Sequence, residues 1–367
     1  MYNVNNVIIV YSYYHRIQMF SYFCWRESVR ILISKIKEMM KIVEEKKFMR
    51  GIDENFSEEF RKCSLFELYK KNIDELFIGV RNNYLNLYYN CDSIAKIEYK
   101  ERKKKITYEI NGYYLGDEFR GDTRRSDDLN YICDQYYTIK ERSNDRAASE
   151  KKAQAKLVLL NNGNETSNWF CLDIEYVKQF NNKQEKENAD FNGRFDIVAL
   201  SKKKPHRVAL IELKYGRGAI GGKSGIYKHI EDFRKFNDNC FFENHFRKEI
   251  IEIIRSQRSL GISVPFQIPE EKEILTPEFY VITLDNNKEK GSTPKQTMAG
   301  YLFKDKRWSC NRLSNDHCYE NNYRVDVTKK NSNPHVTFLF SKVTLEAGIE
   351  KITDIIDGDY DEKIFPE

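Results

Sequence analysis

Two apolar segments in the middle of the chain contain charged residues that could do chemistry. They read RFDIVAL (194–200) and RVALIELKY (207–215), and they contain Asp196, Glu212 and Lys214. A strand that is apolar on both faces is usually covered on both sides, where an isolated charge is costly. Charged residues at such positions therefore indicate a chemical role.

A hairpin of these two strands would bring the two carboxylates together. If Leu200 pairs with Val208, Asp196 falls opposite Glu212. Opposed like charges repel each other, and burial increases the cost unless one carboxyl is protonated or a cation lies between them. Strand alternation places Lys214 on the same face as Glu212. We therefore expect two acids and a lysine to meet at one point, with a divalent cation between the acids.

Carboxylate oxygens of this kind suit Mg²⁺ or Mn²⁺, and Mg²⁺ keeps water and substrate phosphate oxygens in its remaining positions. Asp196 and Glu212 are the expected ligands. Lys214 can orient or deprotonate the attacking water and offset negative charge in the transition state. The reaction that this set of residues favours is hydrolysis of a phosphodiester bond.

The surrounding sequence predicts the elements that must position these residues, in the order α-β-β-β-α-α-β. A helix is expected over 147–160, and FCLDIEYV (170–177) is the first of the three strands. A glycine-rich loop over 216–225 then leads to two amphipathic helices and to a last strand, EFYVITL (278–284). The pattern predicts an α/β fold.

This arrangement resembles the PD-(D/E)XK nuclease superfamily, whose restriction-endonuclease-like core is a mixed sheet flanked by helices in the order α-β-β-β-α-β. GRFDIVAL supplies the aspartate of the motif as Asp196, and ALIELKY supplies E-x-K as Glu212 and Lys214. Phe195 replaces the proline of the family's name. The resemblance covers roughly residues 143 to 285. It implies an Mg²⁺- or Mn²⁺-dependent nuclease that cleaves nucleic acid, with DNA as the expected substrate, in a defence or restriction-like role.

The resemblance also implies a glutamate on the helix before the first strand, and Glu150 is the best match as a further metal ligand. Glu175, within LDIEYV, is the competing candidate, although a charge on an edge strand is the favoured interpretation of that residue.

His229 lies near the apolar stripe of the next helix, and we expect it at the edge of the core. The Q-x-x-x-Y element of exonuclease-like relatives is absent from that helix.

The loop GRGAIGGKSG (216–225) contains Gly-Lys-Ser but does not have the spacing of a phosphate-binding loop. Arg217 stands where the motif G-x-x-x-x-G-K-[ST] requires glycine. Arg217 and Lys223 are expected instead to contact a phosphate of the nucleic-acid backbone. The basic run KERKKK (100–105) is expected to be a solvated turn, with a phosphate contact as the alternative.

The composition excludes a disordered chain. The 367 residues are 40% hydrophobic and 14% aromatic, and the net charge is only +5, so a nucleic-acid footprint must be local. The eight cysteines have no paired spacing, which favours a reduced chain. The apolar patch at the N-terminus is far shorter than the ~18 residues of a membrane span. We expect a cytoplasmic protein without a membrane partner.

Two domains are predicted. Residues 1–140 form an α+β domain for recognition or regulation, and residues 141–367 form the nuclease-like domain with C-terminal additions. In the first, the pattern predicts a strand over 7–14, helices over 27–47 and 56–78, and a hairpin of 94–99 with 106–110.

Two rival hypotheses stay open. The same fold could carry an inactive site and serve as a nucleic-acid-binding or regulatory protein. Alternatively, residues 1–140 could sense a small nucleotide signal that controls the nuclease. The sequence decides neither DNA against RNA, nor sequence specificity, nor endo against exo action, nor whether the chain forms a homodimer.

Overall fold

The computed structural model describes residues 34–35, 50–178, 187, 193–216, 225–285, 323–328, 335–341, 343–352, 354–358 and 361–362. The chain divides into two compact units, Met1–Phe48 and Met49–Glu367, and the structure below is that of the second unit. The predicted strand over 7–14 lies outside the described residues. So does the predicted helix over 27–47, apart from Ser34 and Lys35, which are helical.

The first sheet of the second unit has five antiparallel strands in chain order. They are β1 (Leu76–Val80), β2 (Tyr84–Tyr89), β3 (Asp92–Lys100), β4 (Lys105–Asn111) and β5 (Thr123–Ser126). Helices α1 (Glu54–Arg61) and α2 (Ser64–Lys71) precede the sheet, and α3 (Leu129–Asp134) and α4 (Tyr136–Arg146) follow it. The hairpin predicted at 94–99 and 106–110 is confirmed as β3 and β4.

The helix predicted over 56–78 is wrong at its C-terminal end. Two short helices occupy most of this segment, but Leu76–Val80 form strand β1. All five residues of β1 are buried. A short run that is apolar throughout has no periodicity to distinguish a helix from a buried strand, and pairing with β2 decides the outcome.

The second sheet has seven strands in the order β12-β10-β11-β9-β8-β7-β6. They are β6 (Trp169–Val177), β7 (Arg194–Ser201), β8 (Val208–Tyr215), β9 (Glu278–Leu284), β10 (Tyr323–Thr328), β11 (His335–Phe340) and β12 (Asp361–Glu362). Strands β6, β7 and β8 are mutually antiparallel, whereas β9 is parallel to both β8 and β11. The four predicted strands are confirmed as β6 to β9, and the fold is mixed α/β with two sheets.

Helices cover both faces of the second sheet. Helix α5 (Ser149–Asn162) precedes β6, and α6 (Ile226–Asp238) and α7 (Arg247–Ser259) connect β8 to β9. On β8, Leu210 belongs to the core cluster that includes α6 and α7, and Ile211 belongs to the cluster that includes α5. Strand β8 is therefore buried on both faces, as its sequence predicts, and any charge on it needs a partner.

The predicted domain boundary at 140/141 lies within α4, which ends only three residues before α5 begins. Both sheets belong to the same compact unit. The assignment of separate roles to residues 1–140 and 141–367 stays a prediction. In the part of the chain that the structure describes, no helix has the length and apolar character needed to cross a membrane.

A buried ion-pair network joins the edge strands of the two sheets, β1 and β6. Asp173 of β6 is fully buried and accepts hydrogen bonds from the guanidinium groups of Arg50 and of Arg81, the latter at 2.8 Å. Arg81 also donates to the carbonyl of Ile174, and Arg50 donates to the carbonyl of Val177, both at 2.9 Å. The carboxylate of Asp173 thus binds two guanidinium groups, and these groups also bind backbone carbonyls near the C-terminal end of β6. We call this network the arginine clamp.

Asp173→Asn should lower the free energy of unfolding by roughly 3 to 5 kcal/mol, because two buried guanidinium groups lose the charge that compensates them. Denaturant unfolding of both proteins measures the difference. Asp127→Asn is the control, because Asp127 pairs with Lys105 at an exposed position and should contribute little. Equal stabilities of the Asp173→Asn variant and the wild type would contradict a structural role for the clamp.

Candidate catalytic site

The hairpin of β7 and β8 has the register that the sequence predicts. Leu200 pairs with Val208, and the pairing continues to Ile197 with Ile211. The pairing ends there, and Asp196 and Glu212 are the next residues on the two strands. The predicted register is therefore confirmed, and it brings the two acidic positions to the same end of the hairpin.

Asp196 is partly exposed and interacts with the backbone of the neighbouring strand. Its Oδ2 accepts a hydrogen bond from the N–H of Leu213 at 2.8 Å. Burial and the negative charge of Glu212 raise the pKa of Asp196 well above its ordinary value, and Lys214 opposes them only in part. The site therefore favours a neutral carboxyl, or a nearby cation, at this position.

Glu212 is the centre of a hydrogen-bonded cluster. Its side chain is buried, and its Oε1 lies 2.6 Å from Nζ of Lys214 and 2.9 Å from Nε2 of His229. Strand β8 supplies the lysine on the same face two residues further on, and the first turn of α6 supplies the histidine. One carboxylate oxygen thus accepts two hydrogen bonds, which fixes its orientation.

Lys214 keeps its proton in this environment. Burial alone would lower the pKa of Lys214, but the carboxylates of Glu212, Asp196 and Glu150 more than reverse this, and the pKa is raised. A lysine in this state is an ammonium ion and a hydrogen-bond donor. Of the two roles that the sequence leaves open, the structure favours orienting the water over deprotonating it.

Glu150 reaches the same cluster from the first turn of α5. Its Oε1 lies 3.5 Å from Nζ of Lys214, and its Oε2 accepts the N–H of Tyr215 at 3.3 Å. The ammonium group of Lys214 therefore lies between Glu150 and Glu212. The helix predicted to supply an additional acid does bring one to the end of β8.

Glu175 is on β6, which pairs with the edge of β7 opposite to β8. Because Ile174 pairs with Ile197 and Tyr176 pairs with Phe195, the register sets Glu175 opposite Asp196. Its φ of +50° is in the left-handed region, where a glutamate is strained by about 1–3 kcal/mol.

The arginine clamp accounts for this conformation of Glu175. Arg81 binds the carbonyl immediately before it, and Arg50 binds the carbonyl two residues after it. Strand β6 also changes the face that it presents at this point. Ile174 belongs to the core cluster on the α5 side, whereas Tyr176 belongs to the cluster on the α6 and α7 side. Acidic residues of β6, β7 and β8 thus form a row of three positions, which we call the acidic row (Glu175, Asp196 and Glu212).

The chemistry of the acidic side chains fits a hard divalent cation, but a set of three ligands is not assembled. Among the described residues, no group of three or more His, Cys, Asp or Glu side chains is arranged to hold a metal ion. Asp196 and Glu212 supply carboxylate oxygens, and the pKa of Asp196 is raised first by burial and then by the negative charge of Glu212, which a cation would offset. The expected ligand set of Asp196, Glu212 and Glu150 stays a proposal.

His229 makes a contact that the sequence pattern did not predict. We expected it at the edge of the core, and it is half-buried, but its Nε2 contacts Glu212. Its position in the sequence offers a signal. It lies in the first turn of the helix that follows the E-x-K strand, and a helix that packs against that strand brings its first turn close to the end of the strand. Arg217 and Lys223 lie outside the described residues, and their phosphate contacts stay predictions.

Comparisons of the chain with models of known protein families, with curated proteins and with solved structures gave no match. The interpretation of the site therefore depends on its own geometry and charge.

Asp196→Asn and Glu212→Gln should differ in their effect on the stability of the metal-free protein. Asparagine removes the charge that Glu212 repels and keeps an oxygen for the Leu213 N–H, so the free energy of unfolding should stay unchanged or rise. Glu212→Gln should lower it by roughly 3 to 5 kcal/mol, because buried Lys214 loses its nearest counter-charge. Denaturant unfolding in EDTA measures both. A large loss for Asp196→Asn would make Asp196 a member of the structural ion-pair network.

The raised pKa of Asp196 also predicts a pH dependence. A carboxyl whose pKa is raised on folding stabilises the fold fully below its unfolded pKa of about 3.9 and loses that contribution as the pH rises through the folded-state pKa. Asp196→Asn has no such loss. Its stability relative to the wild type should therefore increase as the pH rises above about 4. Unfolding free energies measured across this range would contradict the raised pKa if the difference stayed constant.

Proposed function

We propose that the protein is a metal-dependent nuclease that hydrolyses phosphodiester bonds of nucleic acid, with DNA as the expected substrate and defence or restriction as the expected role. The observation that supports it most is the cluster around Lys214, where a buried ammonium group meets Glu212 and Glu150 beside Asp196. The order α5-β6-β7-β8-α6-α7-β9 contains the α-β-β-β-α-β order that the sequence resemblance implies, with one additional helix before the last strand.

Asp196 and Glu212 would hold the Mg²⁺ or Mn²⁺ ion, with Glu150 as the further candidate. When bound, the cation supplies positive charge that offsets the charge of the phosphodiester and activates water. The remaining roles belong to residues of the chain. Lys214 carries a proton on Nζ and can donate to the attacking water or to a phosphate oxygen. His229 orients Glu212 through Oε1.

The rival function is a nucleic-acid-binding or regulatory protein with an inactive site on the same fold. The direct contact of Lys214 with Glu212 favours it, because a buried structural ion pair would have this geometry. Retention of the complete acid, acid and lysine set favours the nuclease, since a structural pair requires neither Asp196 nor Glu150.

Lys214→Ala should reduce cleavage by about 10²- to 10³-fold or more, because a donor positioned for the transition state is lost, while nucleic-acid affinity changes little. The assay incubates plasmid, linear duplex, single-stranded DNA and RNA with the protein in Mg²⁺, Mn²⁺ or EDTA. The same panel identifies the substrate class and separates endo from exo action.

Lys228→Ala is the matched control for this substitution. Lys228 lies on α6 and pairs with Asp232 at 2.6 Å. This variant should cleave at the wild-type rate. Wild-type turnover by Lys214→Ala at saturating substrate with Mn²⁺ would reject the nuclease and favour the inactive-site protein.

A further inference from the structure

The tip of the β3–β4 hairpin concentrates positive charge. Six basic and two acidic residues occupy positions 96 to 105, and every residue from 100 to 105 is exposed. The tip is a single 3₁₀ turn, Glu101–Lys103, followed by Lys104 in the left-handed conformation at φ +48°. The chain as a whole is only weakly basic, so this is a local charge feature.

A groove of about 880 Å³ lies beside this tip and extends across β3, β4 and β5. Tyr99, Arg102, Lys103, Thr107 and Arg125 are among its lining residues. Several cations of this surface are neutralised in ion pairs: Lys96 and Lys100 with Glu98, Lys105 with Asp127, and Arg125 with Glu109.

The tip carries three further cations. Arg102, Lys103 and Lys104 form no ion pair within the described residues. They are adjacent and exposed, and Arg102 and Lys103 line the groove. Such a set complements a row of phosphates better than it complements a single anion, because neighbouring positive charges can each neutralise a separate phosphate.

Strand β3 connects this surface to the candidate catalytic site. At its start, the carboxylate of Asp92 lies 3.4 Å from Nζ of Lys151, the neighbour of Glu150 in the first turn of α5. At its other end is Lys100, which begins the basic tip. The nine residues of β3 span about 27 Å at ~3.3 Å per residue. This length equals about eight base pairs of duplex at 3.4 Å each.

We propose that Arg102, Lys103 and Lys104, with the adjoining groove, form a phosphate-backbone contact for the same nucleic acid, about eight base pairs from the bond to be cleaved. The proposal rests on the proposed function for the position of that bond, but the binding itself can be measured without cleavage. It adds a contact on the five-stranded sheet to the expected one at the glycine-rich loop.

The test measures binding in EDTA by fluorescence anisotropy, using DNA hairpins with stems of about eight and about 24 base pairs. The variant is Arg102→Gln with Lys103→Gln and Lys104→Asn, since asparagine tolerates the left-handed conformation. For the long stem, we expect at least about tenfold weaker binding at low salt and a salt slope reduced by about two to three units, at roughly 0.9 per phosphate contact. The short stem cannot span the candidate catalytic site and the tip at once, so its loss of affinity should be smaller than that of the long stem.

A control variant carries the same loss of charge elsewhere: Lys70→Gln, Lys71→Gln and Lys272→Gln. It should retain wild-type affinity for the long stem. Equal affinities and slopes for the tip variant and the control variant would overturn the proposal. It would also be overturned if the tip variant lost binding to polyglutamate or anionic vesicles but not to DNA.

Failure of the proposed function gives a different result. If the wild-type protein cleaves nothing but shows the length-dependent, tip-dependent binding, the basic contact is supported and the nuclease is not. If it cleaves and the tip variant binds as the wild type does, the basic contact alone is rejected. If the wild-type protein binds neither hairpin, the basic contact is rejected, and the cleavage assay decides the nuclease separately.

Discussion

The burial of Glu212 and Lys214 on a strand covered on both faces is the constraint on which the site depends. Neither charge could stay there alone, so each must be satisfied by groups from neighbouring elements. Strand β7 contributes Asp196, α5 contributes Glu150 and α6 contributes His229. The elements around β8 are therefore joined by electrostatics as well as by apolar packing, and their charged groups meet at one end of the β7–β8 hairpin.

The five-stranded sheet takes part in this arrangement through the arginine clamp. Asp173 holds Arg50 and Arg81, and these bind carbonyls on either side of Glu175. A glutamate with a positive φ needs such support, because its left-handed conformation is unfavourable by itself. The clamp thus links the first sheet to the shape of the strand that faces Asp196.

Charge in this protein is separated in space, although the chain as a whole is nearly balanced. The acidic row lies across the adjacent strands β6, β7 and β8, and the basic tip lies at the C-terminal end of β3. An acidic centre attracts a divalent cation but repels a polyanion, so a nucleic-acid substrate requires cationic contacts elsewhere. The described residues offer such contacts on the five-stranded sheet.

The apolar and polar pattern of the chain was enough to predict strands β6 to β9, the register of the β7–β8 hairpin and the face that Glu212 shares with Lys214, because strand alternation is a local rule. It did not predict strand β1, whose uniformly apolar residues have no periodicity. Tertiary packing was needed for three further features: the contact of His229 with Glu212, the left-handed conformation of Glu175 and the raised pKa of Lys214. Each of these depends on groups far apart in sequence, whose distances and burial exist only once the sheets and helices have packed.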